Sequence, residues 1–188
     1  MDAFSYLSVL LSIIIGLAIT QVLQGYRAML LARHRVRPFA PTIIWSLLIL
    51  VMATQSWWAS FGLADRHDWS FGTFGVILLQ TILLYMAAGL VLPDAGPDEV
   101  IDLRAHYFGH TGIFFGTQIA MLATSLLKNA LLDGRNVNPL DIEMHGVFIA
   151  ISTLALFVRG ARAHLGVAIA ATVFIALYVV LLFGHLRG

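Results

Sequence analysis

The chain has 188 residues, of which 60% are hydrophobic and 11% charged, with a net charge of +1. Its mean hydropathy of +0.89 is more than a water-soluble domain of this size can hide, and the near-neutral charge offers no field for nucleic acid. Cysteine is absent, which excludes disulfides, thiolate metal sites and cysteine nucleophiles.

Taken in order, the apolar runs predict six membrane crossings in a single all-α integral membrane domain covering 1–188. The first crossing is expected at about 4–31. It is long for a hydrocarbon core of roughly 30 Å and must tilt or emerge. Asp2 and the position of the basic residues after the apolar run argue against a signal peptide. The second, about 42–63, follows Pro38 and Pro41, which suit a turn and a helix start. The third, about 71–92, stops at Pro93. Pro97, Asp98 and Glu99 then predict a short cytoplasmic helix at about 97–108. The remaining crossings are expected at about 110–132, 142–158 and 163–184. Some spacings recur between the first three crossings and the last three, which raises an inverted three-helix repeat as the architecture.

Basic residues in the short loops set the orientation. Arg27, Arg33, Arg35, Arg37, Arg104, Arg159 and Arg162 fall on one side, against Arg66, Lys128, Arg135 and Arg187 on the other. This balance predicts both termini outside the cytoplasm, with Trp57, Trp58 and Trp69 at the outer interface. Ten of the eleven basic residues are Arg, and with the Ala and Gly content this points to a GC-rich bacterial genome and the bacterial inner membrane.

The centres of the crossings lack charge but carry amides and hydroxyls. Gln21, Gln24, Arg27, Thr54, Gln55, Gln80 and Gln118 are therefore the candidate solute or ion path, since an amide facing lipid is costly. The same groups serve equally as ties between helices. Gly112, Gly116 and Ala120, with Gly166 and Ala170, form small-residue ladders suited to helix packing or to an oligomer contact.

Histidine raises a further chemistry. Asp102, His106 and His110 share one helical face and have donor types that could bind a divalent metal. His110 with His164, and His145 with His185, lie at matched depths, as a bis-imidazole haem b would require. No Gly-x-Ser-x-Gly, His-Glu-x-x-His or Walker-type signature is present, which leans against an enzyme. The leading expectation is a small channel or transporter for an ion or polar solute. A scaffold that binds partner membrane helices comes second, and a haem or metal redox protein third. The lipid bilayer and a homo-oligomer or other membrane subunits are the expected partners.

Overall fold

A computed structural model describes residues 3–64, 66, 68–94, 96, 100–134 and 138–183. It contains six long helices: α1 (Ala3–Leu31), α2 (Ala40–Ala59), α3 (Phe71–Val91), α4 (Leu103–Asp133), α5 (Pro139–Phe157) and α6 (Ala161–Phe183). Five of them, all but α4, are long and apolar enough to cross a membrane. Their outward faces are apolar, as at Ile13, Val173 and Val180, which suits contact with lipid.

Local chemistry sets the helix starts. Ser70 caps α3 by accepting from the Thr73 amide at 3.0 Å, and Asn138 caps α5 by accepting from Leu140 at 3.0 Å. Pro occupies the first turn of both α2 and α5, where its missing N–H costs nothing. Asp102 caps α4 through the amides of Arg104 and Ala105 at 3.0 and 2.9 Å. That cap makes one 31-residue helix of the stretch expected as a connector followed by a fourth crossing. Pro97, Asp98 and Glu99, where the connector was expected to begin, lie outside the described residues. Gly134 after α4 and Gly160 between α5 and α6 have φ of 55° and 96°, a region that side chains disfavour.

α3 packs extensively along α4 and α1, α4 along α5, and α2 along α6. α1 and α3 lie side by side, whereas α4 and α6 make no comparable contact. The two triplets thus do not share one packing pattern.

One end of the bundle is tied shut; we call it the clasp end. Two short strands, β1 (Val36–Arg37) and β2 (Ile101–Asp102), pair in parallel across the α1–α2 and α3–α4 connections. Thr42 donates to the Leu103 carbonyl at 3.1 Å, and Arg37 reaches the Asp102 carboxylate at 3.5 Å. Buried His164 joins the phenol of Tyr107 at 2.9 Å and the Val158 carbonyl at 3.2 Å. The amide of Ala105, with Arg37 and the Arg104 amide, holds the Asp102 carboxyl below its ordinary pKa. Above the clasp, Trp45 meets Phe114 and Phe115 edge-on and stacks on Phe148, forming a dry aromatic layer across the bundle.

Candidate functional site

Beyond that aromatic layer the helices part around a cavity of about 380 Å³. Its mouth is formed by helix ends and connections at the end opposite the clasp, including Ser60, Leu63, Arg66, Asp133 and Asn138. Its floor is Met52, Leu84, Met121 and Phe148. α4 contributes a stripe of Met121, Ser125, Lys128, Asn129 and Leu132, at spacings that keep one helical face toward the cavity. At 1.5 Å per residue this stripe runs about 17 Å, more than half of a hydrocarbon core. The wall is graded, apolar at depth and polar toward the mouth.

The polar half is a connected network. On α5, His145 Nδ1 lies 2.8 Å from the carbonyl oxygen of Asp141 and 3.3 Å from its Oδ1. A carbonyl oxygen only accepts, so Nδ1 carries the ring proton. His145 Nε2 is then the acceptor for the Ser125 hydroxyl, 3.0 Å away on α4. The Asp141 carboxylate also accepts from the Tyr178 phenol at 2.8 Å and from the Asn129 amide at 2.5 Å. Gln55 supports the Tyr178 phenol from α2. Arg66 and Asp133 form a 2.6 Å ion pair at the rim. Lys128 lies between these groups, in the field of Asp141 and Asp133. Among the described residues its ammonium forms no hydrogen bond or ion pair.

Polarity continues beneath the floor. Gln118 sits one turn below Met121 and Leu122 on α4, and Ser152 sits one turn below Phe148 on the neighbouring α5. Both are completely buried, and among the described residues neither the Gln118 amide nor the Ser152 hydroxyl has a hydrogen-bond partner. Unsatisfied polar atoms in a dry interior are costly, which makes their position on the cavity axis informative.

Of the expected path residues, Gln55 and Gln80 line the cavity. Gln118 lies below it. Gln21 instead donates to the Tyr85 phenol at 2.8 Å and ties α1 to α3. Gln24, Arg27 and Thr54 face outward, Thr54 returning its hydroxyl to the Leu50 carbonyl. The ladders of Gly112, Gly116 and Ala120 and of Gly166 and Ala170 also face outward. A Cβ at any of these three glycines would meet nothing within 4 Å, so the bundle does not use them for close packing.

Four of the candidate histidines, His106, His110, His145 and His164, make hydrogen bonds within the chain. His164 and His145 each use both ring nitrogens within the chain. His106 Nε2 bonds the Leu90 carbonyl, and Asp102 is occupied by its cap and by Arg37. The His106 and His110 rings lie 4.4 Å apart, with His110 Nδ1 on the His106 carbonyl at 2.9 Å, but no three metal-ligand side chains cluster among the described residues. Asp102, His106 and His110 thus do not form a three-ligand metal site among the described residues. His185 lies outside the described residues.

Sequence reading missed Ser125, Lys128, Asn129, Asp141 and Tyr178. Their signal was helical spacing: Ser125, Lys128 and Asn129 at i, i+3 and i+4, and Asp141 and His145 at i and i+4. No known protein family, curated protein or solved structure matches this chain.

Proposed function

We propose that the protein crosses the membrane six times, with both termini on the non-cytoplasmic side, and carries a small polar or amphipathic solute. The less apolar α4 takes its place as a sixth crossing because the polar residues of its middle and mouth-side turns, Gln118, Thr124, Ser125, Lys128 and Asn129, turn inward to the cavity and the core. At 31 residues it extends about 46 Å, ample for a bilayer. The clasp end carries Arg33, Arg35, Arg37, Arg104 and Arg159, which the positive-inside rule assigns to the cytoplasm.

A carrier fits better than an open channel. The cavity ends on the aromatic layer instead of passing through it, so one side has access while the other is shut. The observation that carries the reading is the pair of unpartnered groups beneath the floor, Gln118 and Ser152. A closed wall has no use for them, whereas a path that opens alternately to the two sides would hydrate them in its other state.

The absence of cysteine supplies a clean background for a test. Single variants Gln80→Cys and Gln118→Cys are exposed to a membrane-impermeant maleimide in right-side-out and inverted vesicles. Gln80→Cys should react from the mouth side. Gln118→Cys should react from the clasp side at a slower, measurable rate. A folded Gln118→Cys protein that reacts from neither side would overturn the carrier and leave a closed pocket.

A further inference from the structure

We infer that Ser125 and His145 form a nucleophile–base pair that hydrolyses a short-chain acyl ester drawn into the cavity. Three observations combine.

The first is the behaviour of Ser125 itself. Hydroxyls on these helices commonly bond back to their own helix: Thr81 to the Ile77 carbonyl, Thr111 to Tyr107, Thr124 to Ala120, all near 2.8 Å. Ser125 does not. Its hydroxyl leaves its own helix for His145 Nε2, at 3.0 Å. That is the contact a general base needs to activate a serine.

The second is the third group of the relay. The Nδ1–H of His145 is held by the Asp141 carbonyl at 2.8 Å with Oδ1 at 3.3 Å, and Tyr178 and Asn129 hold that carboxylate in turn. Asp141 is a positioning residue here: it keeps the ring in the tautomer that offers its Nε2 lone pair to the serine and favours the imidazolium that forms.

The third is the graded wall. Along α4, Met121 lies about 6 Å deeper than Ser125 and Asp133 about 12 Å nearer the mouth. An acyl chain lying at the depth of Met121 places its ester carbonyl at Ser125 and its alcohol portion toward the rim. Lys128, one turn from Ser125 on the same face of α4, lines the cavity beside it and adds an amine donor to that wall.

The reaction balances with water as the second reactant. Ser125 Oγ bonds to the carbonyl carbon as its proton passes to His145 Nε2. The carbon–oxygen bond to the alcohol then breaks, and His145 returns the proton to the leaving oxygen. Water repeats the sequence on the acyl-serine, releasing a carboxylic acid and restoring the hydroxyl. The inference shares with the carrier reading only the need for a solute to reach the cavity.

The test uses purified full-length protein in lipid nanodiscs and a fluorescent fluorophosphonate as the probe. The wild type should be labelled at Ser125, with no labelling in Ser125→Ala. His145→Gln should slow labelling by about a hundredfold or more. Para-nitrophenyl butyrate should be hydrolysed, and the palmitate ester at least about tenfold more slowly, because the floor limits chain length. Each variant also carries Gln80→Cys, whose maleimide reactivity reports an intact, reachable cavity. An unlabelled wild type with reactive Gln80→Cys sinks the inference, as does labelling that survives Ser125→Ala. Labelling at Ser125 together with an unreactive Gln118→Cys would uphold the hydrolytic pair while removing the carrier.

Discussion

Replacing Gln118 by Met tests the energetic reasoning about the cavity floor. Gln118 is completely buried, and neither atom of its amide is hydrogen-bonded. Leaving a buried polar group unpaired costs about 1–3 kcal/mol. Methionine has nearly the same volume and shape, so the exchange removes that cost without opening a cavity. Gln118→Met should therefore stabilise the closed bundle by about 2 kcal/mol. The same change should disfavour the alternative state in which the amide is hydrated, by about thirtyfold. Two assays read these effects: equilibrium unfolding of the purified protein in bicelles, and maleimide reactivity of Ser152→Cys with and without Gln118→Met. Stability should rise while the Ser152→Cys labelling rate falls. A variant that is no more stable than wild type would refute the reasoning, because the amide would then have a partner in the closed state.

Gly25 touches Leu92 so closely that a Cβ there would lie 2.7 Å from Cδ1 and 2.8 Å from Cβ of that buried side chain. Gly25→Ala should cost about 1–3 kcal/mol of stability, seen as a lower Tm; an unchanged Tm would refute the contact. The Asp102 carboxyl is held below its ordinary value of 3.8 by its bonds to Ala105, Arg37 and Arg104. Its stabilisation is thus fully present above the ordinary carboxylate range and is lost as pH falls through the lower folded value. Asp102→Ala should accelerate hydrogen exchange at Arg104 and Ala105 at neutral pH, and equal exchange in both proteins there would refute the cap.

The helices were legible because their causes are local. Pro41 marks a start, Pro93 follows an end, and long apolar runs lie between, whereas α5 begins at Pro139, ahead of the expected 142. The β1–β2 pair was not legible, since Val36 and Ile101 meet only once the two intervening helices, α2 and α3, have packed. Gln55 and Gln80 could be read as interior because amides are expensive in lipid. Lys128 and Asp141 could not. Near a helix end, hydropathy describes a snorkelling side chain and a cavity wall alike, and only the packing of α4 against α5 separates them. The glycine ladders show the same limit: spacing by four marks a smooth face but not what covers it.

The clasp has a mechanical consequence. Because β1, β2, Thr42 and Asp102 bind the helices together at the clasp end, rigid tilting of one helix against another is anchored there and amplified toward the mouth, where the Arg66–Asp133 ion pair resists it. A helix of 20 residues is about 30 Å long, so a tilt of about 5° swings its free end by roughly 3 Å. Leverage of that kind lets a small angular strain at the Arg37–Asp102 strands set the aperture at Arg66 and Asp133.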